Sequence, residues 1–372
     1  MVEAPHTTQT ISRLTPLAEI IAAIDETAKP VPARDIKLAA ASGRVLAADI
    51  VQGVPLPSAS VALQDGWAVA AETTRDAGGY APALLPQVPA CIEAGQPMPT
   101  GADAVAPRGT IQVRGGRAEA LAPIGQGDGV LKAGGDSSPR TVLAHAGAPL
   151  RDIDIAVLSA AQIEDVSIRE PRLRIVAARE DRFLAAAARL IANAADRAGC
   201  AAHIKGDCDI DAALSEASAD AIIVIGGTGN GNGDRSVEAV ARRGHVIVHG
   251  IALSPGETAA FGMAGSRPIL MVSGRLDAAA AVWLTLGRHL MARLAVANES
   301  GQTTAATLTR KISSTVSLTE LVPVRRDGDK AEPLATKYLP LSALAMANGY
   351  ILVPAESEGY QAGSIVSVRP WL

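Results

Sequence analysis

The stretch Ala221-Ile222-Ile223-Val224-Ile225-Gly226-Gly227-Thr228-Gly229-Asn230-Gly231-Asn232-Gly233-Asp234 decides how the chain reads. Its first five residues form an unbroken apolar run. Such a run marks a strand buried on both faces, as in a parallel sheet. The run ends in a loop with glycine at 226, 227, 229, 231 and 233. Glycine permits positive φ and lets backbone amides approach a ligand closely. Helical character resumes over residues 234–243. A glycine-rich loop between a strand and a helix N-terminus is a ready anion site. The loop is neither GxGxxG nor a P-loop, since no Lys-Ser/Thr pair closes it. A plain connection in an α/β domain has the same composition, but ligands of open α/β sheets sit at such loops. Gly226, Gly227, Thr228, Gly229, Asn230 and Gly231 are therefore candidate ligand-binding residues.

The flanking sequence alternates strand and helix. Residues 173–178, 201–204, 245–251 and 268–272 read as strands. Residues 182–198 form an Ala-rich helix closed by Gly199 as C-cap. Residues 209–218 and 277–297 are further helices. This spacing predicts a doubly wound, mostly parallel sheet with right-handed crossovers. Toward the N-terminus, Thr15 and Pro16 read as N-cap and first helical residue. Leu17, Ile20, Ile21 and Ile24 then share one helical face. Residues 50–140 carry short apolar runs broken by Gly and Pro, a β-rich module. Residues 151–161 are helical and 166–169 a short strand. A polar linker is expected over 298–305. Strands at 306–311, 320–324, 331–333, 349–354 and 364–369 then suggest a small β-barrel or sandwich. The expected fold is a multidomain α/β protein: a small linking domain (15–49 and 141–170), an inserted β-rich domain (50–140), an α/β domain (171–299) and a C-terminal β domain (303–372).

A chain of 372 residues should hold more than one domain. It is 48% apolar but only 2% aromatic, so the core is built from Ala, Val, Leu and Ile. A net charge of -4 argues against a general nucleic-acid binder. The start, MVEAPHTTQT, lacks a signal-peptide pattern, and no apolar stretch is long enough to span a membrane. Cys91, Cys200 and Cys208 form no CxxC pair, which fits a reduced, cytoplasmic protein. Cys200, His203 and Cys208 match no common zinc spacing. His245 and His249 fall on one face of a strand, where ordinary packing is the expectation.

The order of motifs resembles the molybdopterin molybdenumtransferase family, the MoeA proteins and the gephyrin E domain. Residues 57–68, PSASVALQDGWA, stand where the family has a PPFDNSAMDGYA-like segment. Gly95, Pro97, Pro99 and Gly101-Ala102-Asp103-Ala104-Val105 keep its G-x-P-x-P-x-GADAV segment almost intact. Gly135-Asp136 through Gly147 matches its GED motif, and 226–234 its GGxSxGxxD loop. Pro255-Gly256-Glu257-Thr258-Ala259-Ala260-Phe261-Gly262 matches PGKPxxFG. The resemblance implies a MogA-like α/β domain and an elongated homodimer whose active site joins the α/β domain of one protomer to the inserted domain of the other. It also implies insertion of molybdate into adenylylated molybdopterin, with Mg²⁺ and release of AMP. Other molybdenum-cofactor assembly proteins are the expected partners, and neither nucleic acid nor membrane is.

The departures fall on the chemistry. Ser60 and Val61 replace an Asp-Asn pair whose Asp belongs to the family's metal or molybdate site, and neither supplies the anionic oxygen that Mg²⁺ prefers. Asn232 replaces an Asp of the Gly loop, and Glu257 replaces the PGKP lysine. Arg179 and Arg275 stand in ligand-facing turns where the family has small residues, and arginine suits a phosphate or pterin carboxamide. The resemblance makes Asp65 and Asp234 candidate catalytic residues. Arg179, Arg275, Asp103 and Asp136 become candidate ligand contacts, and Glu180 and Asp181 candidate metal ligands. Turn or helix capping is the structural alternative for Asp65, Asp103, Asp136 and Asp234. The expected function is binding of molybdopterin, its adenylylated form or the finished cofactor, with molybdate insertion reduced or lost. An active molybdenumtransferase and a non-catalytic scaffold are the alternatives.

Overall fold

Side chains alternate along a strand, so an apolar run with no polar member must fill a core on each side. The computed structural model shows this at β3. It describes residues 9–206, 208–298, 301 and 303–372. In chain order its α/β layer comprises α1 (Leu17–Thr27), β1 (Arg172–Ala177), α2 (Arg182–Arg197), β2 (Ala201–Ile204), α3 (Ile210–Ser215), β3 (Ala221–Ile225), α4 (Ser236–Arg243), β4 (His245–His249), β5 (Ala260–Ala264), β6 (Arg267–Val272), α5 (Leu276–Val282) and α6 (Arg288–Ala295). Ala221, Ile223 and Ile225 pack into one core with Leu173, Ile175, Ile191, Leu270 and Phe261. Ile222 and Val224 pack into another with Val176, Leu214, Val240 and Ile269.

The sheet runs in the order β2-β1-β3-β6-β5-β4. The pairs β1–β2, β1–β3 and β3–β6 are parallel, with Ile223 level with Ile175 and Leu270. The pairs β6–β5 and β5–β4 are antiparallel. β5 was not expected, because AFGMA reads as part of a Pro/Gly motif. Its glycine serves close strand approach: a Cβ on Gly262 would lie 2.5 Å from the His245 carbonyl oxygen. The chain leaves β1 for β2 on one side and returns to β3 on the other. That reversal opens a crevice at the carboxyl ends of β1 and β3.

Two helix readings need correction. The long helix expected over 277–297 is α5 and α6 joined by a π turn, Trp283–Gly287. The extra residue lets the buried Trp283 ring lie over Gly287, where a Cβ would sit 2.4 Å from the ring. Thr15 does not cap α1. It pairs with Ile251 as an isolated parallel bridge, and its N–H donates to Gly250 O at 3.0 Å. Pro16 precedes the helix with no side-chain cap, and Ile20 and Ile24 bury the predicted face.

The C-terminal residues form β7 (Thr304–Leu308), β8 (Thr319–Asp327), β9 (Lys330–Pro333), α7 (Leu341–Met346), β10 (Gly349–Val353) and β11 (Ile365–Pro370). Pairing runs β8-β9-β7-β11-β10 and closes from β10 back to β8, a five-stranded barrel. Val322, Val324, Ile351, Val353 and Val366 fill it. Of the linker expected over 298–305, residues 299, 300 and 302 lie outside the described residues.

By contacts the chain divides into Met1–Ala48, Ala146–Ile155 and Glu164–Leu372 as one unit, and Asp49–His145 with Ala156–Ile163 as the other. The second unit is β-rich. Gly66–Val69 pairs with Ala90–Ile92 and Ala104–Pro107, and Arg117–Ala120 pairs with Ile111–Arg114 and Ala83–Leu84. Within the first unit, Arg34–Lys37, Asp165–Arg169 and Val45–Leu46 make a small antiparallel sheet.

Ile223 is fully buried between β1 and β6. We expect Ile223→Ala to lower unfolding free energy by about 2–5 kcal/mol, the usual range for such a core truncation. Urea denaturation followed by circular dichroism measures it.

Candidate functional site

The chain turns sharply where β3 ends because its last residue is locked between neighbours. Gly226 takes φ +88 and Gly227 takes φ +67. A Cβ on Gly226 would lie 2.7 Å from Leu184 Cδ2, and one on Gly227 would lie 2.4 Å from Ser236 Oγ. These two positions need glycine for both conformation and space. The loop beyond is braced internally. Gly231 N–H donates to Asp234 Oδ2 at 3.0 Å, and Ser236 Oγ donates to Gly226 O at 2.7 Å.

The start of α4 differs from expectation. Its N-cap is Arg235, with no side-chain cap, so Asp234 braces the loop and does not cap the helix. Ser236 N–H donates to Gly227 O at 3.0 Å, and Val237 N–H donates to Gln9 Oε1 at 3.2 Å. These helix-start donors are spent inside the protein. Gln9 also donates from Nε2 to Gly227 O at 2.7 Å and Gly229 O at 2.8 Å. His249 Nε2 donates to Thr228 O at 2.9 Å, and Thr228 and Thr258 hydroxyls are 3.0 Å apart. The amides of Thr228, Gly229 and Asn230 make no hydrogen bond among the described residues.

A cavity of about 560 Å³ opens over this loop. Its polar lining includes Gly226, Gly227, Thr228, Gly229, Asp234, Thr258, Arg179 and Ser273. Its apolar lining is Phe183, Leu184, Tyr338, Leu339, Leu341 and Leu344. The barrel side supplies Tyr338 to Leu344, from the connection between β9 and β10. Phe183, Tyr338 and Leu341 remain 43%, 61% and 57% exposed, so the apolar wall is available to a ligand.

Arg179 and Arg275 both line the cavity. Arg275 is bound bidentately by Asp277, at 3.1 and 2.5 Å, and its guanidinium lies 5.3 Å from the Tyr338 ring centre. Asp277 is buried and also accepts Leu339 N–H at 3.2 Å. Asp277 holds the Arg275 guanidinium above its usual pKa, with Glu257 adding to the effect. Arg179 is exposed, and among the described residues it has no carboxylate within ion-pair distance. It is the cation the cavity has to offer an anion.

The candidate acids occupy structural posts. Asp181 Oδ1 accepts Phe183 N–H at 2.8 Å and Leu184 N–H at 3.2 Å, a helix cap on α2. Asp181 lines the cavity, whereas Glu180 does not. Asp65 accepts Ala94 N–H at 3.0 Å, and Asp103 accepts Ala71 N–H at 2.7 Å. Asp136 is exposed. These last three belong to the β-rich unit and the cavity to the other unit. Among the described residues, no three His, Cys, Asp or Glu side chains converge as a metal site. Mg²⁺ is commonly held by one or two carboxylates with water and substrate phosphate, and of this pair Asp181 is the one that lines the cavity. Ser60 Oγ accepts Ala133 N–H at 3.2 Å, and Val61 pairs with Leu131, so both fill structural roles.

Sequence reasoning missed Gln9, Thr258, Asp277, Tyr338 and Leu341. Thr258 carried a signal, its place in the matched PGKP segment. The others lie in stretches with no motif.

Three family profiles match the chain. They are "MoeA N-terminal region (domain I and II)" over residues 15–161, "Probable molybdopterin binding domain" over 175–293 and "MoeA C-terminal region (domain IV)" over 305–371. The "Putative molybdopterin biosynthesis protein" of Methanocaldococcus jannaschii is 25% identical, over 90% of this chain and 91% of its own. "Molybdopterin molybdenumtransferase 1" of Mycobacterium tuberculosis is 25% identical over 77% of this chain and 74% of its own. The crystal structure of the molybdopterin biosynthesis moeA protein from Pyrococcus horikoshii shares the fold, with TM-score 0.78 and 23% identity over 96% of this chain and 99% of that one.

Capping and metal ligation by Asp181 separate on substitution. Asparagine caps as well as aspartate, so we expect Asp181→Asn to change stability by less than about 0.5 kcal/mol and Asp181→Ala to lose about 1 kcal/mol. Thermal unfolding with and without Mg²⁺ checks this. A Mg²⁺-dependent stabilisation that Asp181→Asn abolishes would assign the residue to metal instead.

Proposed function

The chain belongs to the MoeA family of molybdenum-cofactor biosynthesis proteins, and on that premise we propose that the crevice binds a pterin phosphate while molybdate insertion is reduced or lost. The ligand is molybdopterin, its adenylylated form or the finished cofactor. The observation that carries this reading is the mixed lining of the cavity. It combines the Gly loop, whose Thr228, Gly229 and Asn230 amides make no hydrogen bond among the described residues, and Arg179 with the apolar Phe183, Tyr338 and Leu341. A phosphate suits the first set and a fused heterocycle the second.

The loss of activity rests on what has become of the family's acidic and basic positions. Ser60, Val61, Asp65 and Asp103 are engaged in backbone bonding within their own unit. Glu257 accepts Gly256 N–H at 3.0 Å and presents a carboxylate where the family has a lysine. Molybdate would be the substrate of the active family members. No helix of the described residues is long and apolar enough to cross a membrane. A cytoplasmic homodimer that works beside other cofactor-assembly proteins completes the proposal, on the family resemblance.

The test measures both halves of the reading. We expect the purified protein to retain molybdopterin, read as fluorescence of its oxidised pterin, and Arg179→Ala to weaken retention about tenfold. We expect AMP release from adenylylated molybdopterin, with molybdate and Mg²⁺, to run at least about a hundredfold below a motif-complete family member, since each 1.4 kcal/mol is a factor of ten. Comparable turnover would assign the active transferase, and absence of any retention the scaffold. Light scattering at micromolar concentration should give twice the chain mass.

A further inference from the structure

The carbonyls of the Gly loop are held by side chains that lie outside the cavity. Gln9 Nε2 takes Gly227 O at 2.7 Å and Gly229 O at 2.8 Å, and His249 Nε2 takes Thr228 O at 2.9 Å. Gln9 is 8% exposed, and neither it nor His249 lines the cavity. Its carboxamide is fully used, because Oε1 also accepts Val237 N–H at 3.2 Å. Both protons on Nε2 and one lone pair on Oε1 are thus fixed to three backbone groups, so the side chain cannot turn over without losing them.

A trans peptide is planar, and its C=O points opposite to the N–H of the next residue. Pinning the carbonyls of 227 and 229 therefore turns the N–H groups of Thr228 and Asn230 away from Gln9, and pinning that of 228 turns the Gly229 N–H away from His249. Thr228 and Gly229 line the cavity, and none of the three amides has a partner among the described residues. The carbonyls before Thr228 and Asn230 converge on one nitrogen, so these two free amides share a direction, as in an anion-binding concavity. Glycine at 227 and 229 leaves this loop free to adopt other peptide orientations when nothing holds it.

We propose that Gln9 and His249 are positioning residues that set the direction of these three amides, so that the loop is shaped for phosphate before any ligand arrives. The phosphate part rests on the binding reading above. Gln9 lies upstream of the residues that the family profiles match, which begin at 15. The loop's shape therefore depends on a side chain that lies outside that matched core. A strut of this kind acts without touching ligand, and its substitution should alter affinity more than stability.

The test follows the amide signals of Thr228, Gly229 and Asn230 by nuclear magnetic resonance during titration of the full chain with inorganic phosphate. We expect phosphate to shift all three in the parent. Gln9→Glu replaces the donor by an oxygen that repels the two carbonyls, and should bind phosphate roughly tenfold more weakly. Gln9→Ala should fall between. His249→Gln keeps a donor and should stay within about twofold of the parent, while His249→Leu should not. Melting temperature, measured in parallel, should move by only a few degrees. Parent-like affinity in both Gln9→Glu and Gln9→Ala would overturn the proposal. If the parent binds neither phosphate nor molybdopterin, the binding reading falls, and hydrogen exchange decides the strut. Faster exchange at 228–230 in Gln9→Ala would support it, and unchanged exchange would overturn it.

Discussion

The whole site depends on a strand that has nowhere to go. β3 is hydrogen-bonded on both edges, and its side chains enter separate cores above and below. A strand confined in this way delivers its last residue to one place, within the tolerance of close packing. Gly226 N–H donates to Val272 O at 2.8 Å, which ties the exit to the neighbouring strand. Leu184 closes on the same point from α2, near enough to exclude any Cβ at Gly226. The crevice, its loop and its cations are all placed relative to that exit.

The carboxylates around the crevice show how polar atoms are used once a backbone leaves regular structure. Loops carry N–H groups without ladder partners, and burying one unpaired costs about 1–3 kcal/mol. Asp181 serves two amides, Asp234 one, and Asp277 one amide and one guanidinium. An acid so engaged has its orientation fixed by the loop, while the second oxygen of Asp181 and of Asp234 keeps its acceptor capacity. The Thr228, Gly229 and Asn230 amides, which make no hydrogen bond among the described residues, and Arg179 favour a negative ligand.

Much of the architecture was legible because apolar periodicity is a local signal. The β3 run, the α1 face of Ile20 and Ile24, the α2 helix closed by Gly199 and all five barrel strands could be read directly. The failures have local causes too. β5 is disguised by glycine, which close strand contact demands. The π turn at Trp283 leaves helical composition unchanged and shifts only the phase. Thr15 obeys the capping rule but is claimed by Ile251, more than two hundred residues away. The loop that lines the cavity was legible from glycine spacing. The apolar wall at Tyr338 and Leu341, and the contact of Gln9 with the loop, depend on long-range packing that no local pattern encodes.

The two arginines that look alike in sequence divide their labour in the fold. Arg275 follows β6 and lies within reach of Asp277, whose burial requires a counter-charge. Glu257 also acts on Arg275. An acid at the family's lysine position is thus only partly offset by an arginine in a turn that the family keeps small. Arg275 lines the cavity, whereas Glu257 is outside its lining. The geometry changes as well. A lysine is a mobile point charge, whereas Arg275 is clamped by a bidentate pair against Tyr338.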